Sequence, residues 1–131
     1  MRFLLNQARQ HLLTERMRVL QRSSPEIEAA ALISTDGLII ASALLPDINT
    51  DRVSAMSASI LSLGEQIGSE ANLGLLEQVH IQGEKGHVVL MAVGEGAVLT
   101  ALVAGQAKMG VLLLDMRHCV EDLRKLLSIE D

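Results

Sequence analysis

The stretch that decides the fold is residues 75–104, which read LLEQVHIQGEKGHVVLMAVGEGAVLTALVA. Two short segments interrupt its apolar residues, Glu84-Lys85-Gly86 and Gly94-Glu95-Gly96, and glycine at such places is typical of hairpin turns. Glu95 and the many β-branched residues favour buried strands over a membrane span across 88–105, although that run is long enough to cross a bilayer. The stretch therefore predicts three antiparallel strands, at 75–82, 87–93 and 97–104.

The same pattern continues towards the N-terminus, where Thr35-Asp36-Gly37 predicts a hairpin between strands at 27–34 and 38–44. Apolar residues at helical spacing predict three helices, at 2–22, about 50–71 and about 108–127. The order is helix, two strands, helix, three strands, helix. It predicts an α+β fold, an α/β sandwich in which helices cover both faces of a five-stranded antiparallel sheet. One domain spans 1–131, with a basic amphipathic helix in 1–22 and a core in 26–125.

The composition excludes several classes of ligand. The 131 residues are 49% hydrophobic with a net charge of −5, and they include one Phe and no Trp or Tyr. Single-stranded nucleic acids need aromatic stacking platforms, and phosphate backbones attract basic proteins, so we expect no nucleic-acid partner. Cys119 is the only cysteine, so no intrachain disulfide can form. No signal-peptide pattern follows Met1, and we expect a cytoplasmic protein.

Catalytic motifs are missing. Gly94-Glu95-Gly96 lacks the third glycine of a dinucleotide-binding loop and joins two strands, and no phosphate-binding P-loop motif occurs. The four His residues have no metal-ligand spacing, and no serine lies in a nucleophile elbow. Cys119 is expected to be a packed apolar residue. The sequence thus predicts no catalytic residue, no metal, no cofactor and no enzyme activity.

Two features predict pairing with a second copy. The alternation of apolar and polar residues in 75–82 is typical of an edge strand, which is a liability unless another strand pairs with it. In the middle helix, an apolar stripe can cover the sheet while small residues allow a second helix to approach closely; the alternative is that Gly64 and Gly68 pack on the chain's own sheet. The predicted homodimer interface comprises Ala58, Ser59, Leu61, Ser62, Glu77, Val79 and Ile81, and the predicted sheet-facing stripe comprises Val53, Met56, Ile60, Leu63 and Ile67.

Charge is unevenly distributed. Residues 1–22 hold five Arg and one Glu, a net of +4, whereas the remaining residues hold six basic and fifteen acidic side chains, a net of −9. One interpretation is a helix docked on its own acidic body. Another is an anionic partner, with a membrane contacted only peripherally through residues 1–22.

Four segments resemble the roadblock/dynein-light-chain family, and most closely its bacterial members in the group that includes activators of Ras-like GTPases. They cover about residues 26–125 and contain no catalytic signature: EAAALISTDGLIIAS (28–42), DRVSAMSASILSLGEQI (51–67), LEQVHIQGEKGHVVLMAVGEGAVLTALV (76–103) and MGVLLLDMRHCVEDL (109–123). The resemblance implies a sheet ordered second, first, fifth, fourth, third strand. It places the middle helix on one face and the terminal helices on the other, and it pairs the third strands of two copies.

The resemblance also implies the function, since family members typically serve as dimeric platforms for Ras-like GTPases and some accelerate GTP hydrolysis. We therefore expect a non-enzymatic homodimer that regulates or scaffolds a Ras-like small GTPase. The alternative is a dimerisation adaptor in a signalling or motility assembly with no GTPase partner. An Arg from residues 1–22, or Arg52, is a candidate for insertion into the GTPase site. The predicted GTPase-binding residues are Arg52, Ala55, Ser59, Ser62 and Gln66.

Overall fold

The computed structural model describes residues 7–43 and 49–128, and it confirms the predicted order of elements. The beginning of the predicted first helix and most of the loop before the second lie outside the described residues. The third strand begins three residues later than predicted, and Leu75 is 95% exposed instead of pairing in the sheet. The elements are α1 (Gln7–Ser23), β1 (Ile27–Ser34), β2 (Ile39–Ala43), α2 (Thr50–Glu70), β3 (Gln78–Gln82), β4 (Gly86–Val93), β5 (Ala97–Ala104) and α3 (Met109–Ser128).

The five strands form one antiparallel sheet in the order β2-β1-β5-β4-β3. The order that the family resemblance implied is therefore confirmed. β1, β4 and β5 are interior strands and are buried along most of their length, as their apolar residues at both odd and even positions predict. β2 and β3 are the two edges.

Helices cover both faces of the sheet. On one face, α1 and α3 pack over the larger core, and their side chains there are fully buried: Leu13, Met17, Leu20, Met116 and Leu123. On the other face, α2 packs through Leu61 against a smaller cluster made of Ala31, Ile33, Leu90 and Val98. The predicted arrangement, with one helix opposite the two terminal helices, is confirmed.

α1 also covers one edge of the sheet. The Gln10 and Gln21 amides donate hydrogen bonds to the backbone carbonyls of Ile40 (2.9 Å) and Ala43 (3.3 Å) in β2. The Arg16 guanidinium forms an ion pair with Asp122 of α3 at 2.7 Å. α1 is thus docked on the body of the chain, and β2 has two of its backbone acceptors satisfied by side chains.

The apolar run at 88–105 forms parts of β4 and β5 joined by the turn at Gly94-Glu95-Gly96, as predicted. Within the described part of the chain, no helix combines the length and the apolar character that a bilayer crossing requires.

Candidate functional site

α2 is the helix on which exposed apolar and exposed polar residues lie side by side. Its N-terminus is capped by the Asn49 side chain, which accepts a hydrogen bond from the Arg52 backbone N–H at 3.1 Å. The negative charge of Asp51 in the first turn interacts favourably with the positive end of the helix dipole. Asn72 and Gly74, both with positive φ, follow its C-terminus. Between these ends, α2 presents three parallel stripes of residues with identical helical spacing.

The stripe that faces the sheet consists of small residues on either side of Leu61, and the prediction that Met56, Leu63 and Ile67 cover the sheet is wrong. Ser54, Ser57, Leu61 and Gly68 are buried, and a Cβ on Gly64 would lie 3.0 Å from the Leu76 side chain. The sheet below presents Ile33, Leu90 and Val98, so a helix with a small face can lie close to these large residues. Gly64 thus packs beside Leu76 and Val79 of the same chain, in agreement with the alternative for this glycine, whereas Gly68 lies closest to the backbone carbonyl of Gly74.

The apolar stripe is consequently turned away from the sheet. Met56 is 55% exposed, Leu63 54% and Ile67 65%, whereas Ile60 is partly buried against the smaller core cluster. We name Met56, Ile60, Leu63 and Ile67 the apolar flank. Such a row of exposed large side chains on one helix is typical of an interaction surface.

The apolar flank lies on the side of α2 that faces β3. Gly64, in the sheet-facing stripe, lies beside β3, because a Cβ on it would touch Leu76 and Val79. Each residue of the apolar flank comes one position before a residue of the sheet-facing stripe. One position corresponds to a rotation of about 100° around the helix axis, which turns the flank away from the sheet. Among residues 7–43 and 49–128, β3 pairs only with β4, and its other edge carries no strand. Val79 and Ile81 pair with Leu90 and Val88, so they stand on the α2 face of the sheet. The free edge and the apolar flank therefore border one surface.

The third stripe of α2 forms an outer polar face. It comprises the predicted GTPase-binding residues Arg52, Ala55, Ser59, Ser62 and Gln66, and all five are exposed. A Cβ on Gly37 would lie 3.4 Å from the Ala55 Cα, which places the β1–β2 turn beside this stripe. Thr35 and Asp36 of the turn form an open hollow with Ala55, Ala58, Ser59 and Ser62, and Leu63 of the apolar flank borders the same hollow. The structure thus brings the five residues together on one face of one helix.

The predicted dimer-interface residues do not lie together. Leu61 is buried against the sheet, with 3% of its surface exposed, because it belongs to the sheet-facing stripe. Ala58, Ser59 and Ser62 border the hollow beside the β1–β2 turn. In and before β3, Glu77 and Ile81 are exposed and Val79 is half-buried. With Leu61 inside the fold, the participation of the other six residues stays a prediction.

Little in the structure supports covalent or metal chemistry. Across residues 7–43 and 49–128, no three His, Cys, Asp or Glu side chains are grouped as a metal site would require. Cys119 is buried in α3, and burial raises the pKa of its thiol to about 11. A thiol with that pKa is protonated at neutral pH and is a poor nucleophile.

The fold defines a class of small α+β domain with three helices on a five-stranded antiparallel sheet, in which one helix and one sheet edge carry exposed apolar side chains. The comparisons with known proteins specify the family. Residues 13–103 match the family described as the Roadblock/LC7 domain, so the chain belongs to the Roadblock/LC7 family.

Individual relatives agree with this assignment. An uncharacterized protein of Methanocaldococcus jannaschii is 30% identical over 98 residues, which cover 75% of this chain and 85% of that protein. The crystal structure of a Roadblock/LC7 domain from Streptomyces avermitilis has a TM-score of 0.83 at 26% identity, covering 88% of this chain and 98% of that chain. The gliding protein MglB of Thermus thermophilus shares the fold, with a TM-score of 0.84, 18% identity and 93% coverage of each chain.

The exposure of Met56, Leu63 and Ile67 was not predicted from the sequence. The signal in the sequence is indirect, because Ile33, Leu90 and Val98 limit the room beneath α2 only once the sheet brings them together on one face. Large residues on the sheet favour small residues on the helix that covers it.

Proposed function

We propose that this chain is a cytoplasmic, non-enzymatic homodimer that regulates or scaffolds a Ras-like small GTPase. The observation that carries the proposal is the division of α2 into two exposed faces of different chemistry. The apolar flank adjoins the free edge of β3 and suits a permanent contact, and the outer polar face suits a reversible one.

The apolar flank and the β3 edge support dimerisation. In a two-fold symmetric dimer the same surface of each copy meets itself, so one surface with a strand edge and an apolar helix flank can satisfy both copies. β3 is free for such pairing, whereas α1 already satisfies two backbone acceptors of β2, the other sheet edge. We therefore expect β3 to pair with β3 of a second copy and the two α2 helices to cover each other's apolar flanks.

The dimer is tested with a matched pair of Leu→Glu substitutions on opposite faces of the molecule. Leu63 in the apolar flank is 54% exposed, and Leu114 in α3 is 50% exposed. We expect sedimentation at micromolar concentration to show a dimer for the wild-type chain and for Leu114→Glu, and a monomer for Leu63→Glu. All three should have the same circular dichroism spectrum. A monomeric wild-type chain would overturn the dimer proposal.

The outer polar face supports GTPase binding, together with the family's typical role. Ala55, Ser59 and Ser62 are small and exposed beside the hollow at Thr35 and Asp36, so another protein can approach this part of the helix closely. Arg52 lies in the first turn of α2 at one end of this face.

GTPase binding is tested with a Ras-like small GTPase whose gene lies next to the gene for this chain. The GTPase is loaded with a non-hydrolysable GTP analogue. Ser62→Arg places a bulky charge on the outer polar face, and Ser23→Arg makes the same change at an exposed position at the end of α1. We expect Ser62→Arg to weaken binding at least tenfold in calorimetry and Ser23→Arg to leave it unchanged. Single-turnover hydrolysis by the same GTPase loaded with GTP then separates an activator, which raises the rate, from a scaffold, which does not. Equal affinity of both variants, or a wild-type dimer that binds no such GTPase, would favour the adaptor function instead.

The contacts of α1 bear on the two interpretations of the basic residues in 1–22. Leu13, Met17 and Leu20 of α1 are buried in the core, so the apolar side of this helix is not available to a membrane while α1 stays docked. Arg16 is paired with Asp122, and Arg18 with Glu15 at 2.8 Å. These contacts support the interpretation that the helix docks on its own acidic body.

A further inference from the structure

A groove opens beside the end of β4, where β3 does not run alongside it. β4 continues to Val93, whereas its register with β3 reaches only Met91. The Ala92 N–H donates a hydrogen bond to the Glu77 carbonyl, but residues 74–76 lie outside β3. We name the space between the end of α2, residues 74–76 and the β4–β5 turn the end groove. Its lining includes Leu61, Glu65, Gly68, Leu76, Glu95 and Ala97.

Small residues leave the end groove open. Gly68 lines it from α2, and Ala92 and Ala97 line it from the adjoining ends of β4 and β5. The groove has a volume of about 780 Å³, which is in the range of ligand pockets in proteins. Leu61 and Leu76 add large apolar side chains to its lining. The groove can therefore accept apolar side chains of another molecule.

The end groove is also acidic. Glu65 of α2 and Glu95 of the β4–β5 turn line it and are exposed, and none of the described Lys, Arg or His residues does so. Within residues 7–43 and 49–128, neither carboxylate forms a hydrogen bond or an ion pair. Glu95 also borders a smaller hollow with Arg124, but that guanidinium is paired with Glu121. Both carboxylates of the end groove are thus available to a cation.

We propose that the end groove binds a short segment of a partner protein in which Lys or Arg stands beside apolar residues. Charge complementarity supports this partner, because the two carboxylates attract a basic segment and residues 23–131, with six basic and fifteen acidic side chains, have a net charge of −9. Apolar side chains of the segment, and the aliphatic stems of its Lys or Arg, contact the apolar lining. Their charged ends bond to the carboxylates, and such bonds are stronger than those between neutral groups.

This site is separate from the surfaces of the proposed function. No residue of the apolar flank or of the outer polar face lines the end groove. The proposal therefore rests on neither the dimer nor the GTPase, and each of the three can fail without the others.

The probe is a fluorescently labelled synthetic peptide, Gly-Lys-Leu-Arg-Leu-Lys-Gly, and its binding to the full chain is measured by anisotropy. One matched peptide has Glu in place of the three basic residues, and another has Ser in place of both Leu residues. We expect the probe to bind with a micromolar dissociation constant. Both matched peptides should bind at least tenfold more weakly, because the first loses the charge complementarity and the second loses the apolar contact.

Four substitutions of Glu by Gln locate the site on the chain. Glu65→Gln and Glu95→Gln each remove one carboxylate of the end groove. Glu70→Gln in α2 and Glu84→Gln between β3 and β4 make the same change of charge at exposed positions outside the groove. We expect probe binding to weaken at least fivefold in each of the first two variants and less than twofold in the two controls.

Ala92→Leu tests the apolar lining, because a larger side chain at this half-buried position fills part of the groove. We expect at least tenfold weaker probe binding with an unchanged circular dichroism spectrum, and if this variant does not fold, the four Gln variants decide. Equal weakening in all four would indicate general attraction of a basic peptide to an acidic protein and would overturn the site. A wild-type chain that does not bind the probe, or unchanged binding in folded Ala92→Leu, would overturn it as well.

Discussion

Cys119 shows how a single position in α3 can link pH to folding. Its side chain is fully buried in the larger core, and desolvation raises the pKa of the thiol from 9.0 to about 11. Arg16 acts in the opposite direction and Asp122 in the same one, but burial is the largest effect. Since the thiolate is excluded from the folded core, the thiol serves there as a small apolar group.

We therefore expect the stability of the chain to fall in alkaline solution. Below about pH 8 the thiol is protonated in both states and contributes no pH dependence. Between about pH 9 and 11 the unfolded chain loses this proton while the folded chain keeps it, so the free energy of unfolding falls by on the order of 2 kcal/mol. Urea unfolding measures this free energy, and circular dichroism is the probe because the chain has no Trp or Tyr for fluorescence. Cys119→Ala should remove this part of the fall, and an equal fall in that variant would contradict the assignment.

At the scale of an element, α2 shows why helical periodicity alone did not orient the helix. α2 has three stripes: the outer polar face, the apolar flank and the sheet-facing stripe. Neighbouring positions along the sequence belong to successive stripes, so all three repeat every three or four residues. Hydrophobicity favoured the apolar flank as the buried side, and that prediction was wrong. The volume available above Ile33, Leu90 and Val98 decides the orientation, and this volume becomes known only when the sheet is assembled.

The same argument predicts opposite outcomes for one substitution at two serines of α2. Ser57 is buried against the sheet and Ser59 is exposed on the outer polar face. Ser57→Leu should destabilise the chain by about 1–3 kcal/mol, because a larger side chain must displace the helix or the strands below it. Ser59→Leu should change the free energy of unfolding by less than about 0.5 kcal/mol. Urea unfolding at low protein concentration, where dimerisation contributes little, compares the two. Similar costs at both positions would contradict the observed rotation of α2.

At the scale of the whole molecule, the sequence predicted the fold better than the contact surfaces. Local signals are sufficient for the strands and helices, because turns such as Thr35-Asp36-Gly37 and the alternation of apolar residues act over a few positions. The sheet order came from the family resemblance, since pairing of β1 with β5 joins segments far apart in the chain. The exposed surfaces depend on which side of each helix the assembled sheet buries, and no local pattern contains that information.

α1 provides the test at this scale, because its charge left open whether it docks on the chain's own body or contacts an anionic partner, whereas the structure makes it part of the core. Leu13, Met17 and Leu20 are fully buried, and Gln10 and Gln21 bond to the edge strand β2. Removal of residues 1–24 would expose this part of the larger core and leave those two β2 carbonyls without the glutamine donors. We expect the truncated chain to lose its cooperative thermal transition in circular dichroism and to bind a hydrophobic dye.

The control for the truncation is Leu12→Ala, which changes an exposed apolar residue of the same helix. It should keep the melting temperature within a few degrees of the wild-type value, since an exposed side chain contributes little to stability. A truncated chain that still melts cooperatively would show that β1 to α3 form an independent unit and that α1 is free to leave it. In that case the basic helix would again be a candidate for contact with an anionic partner.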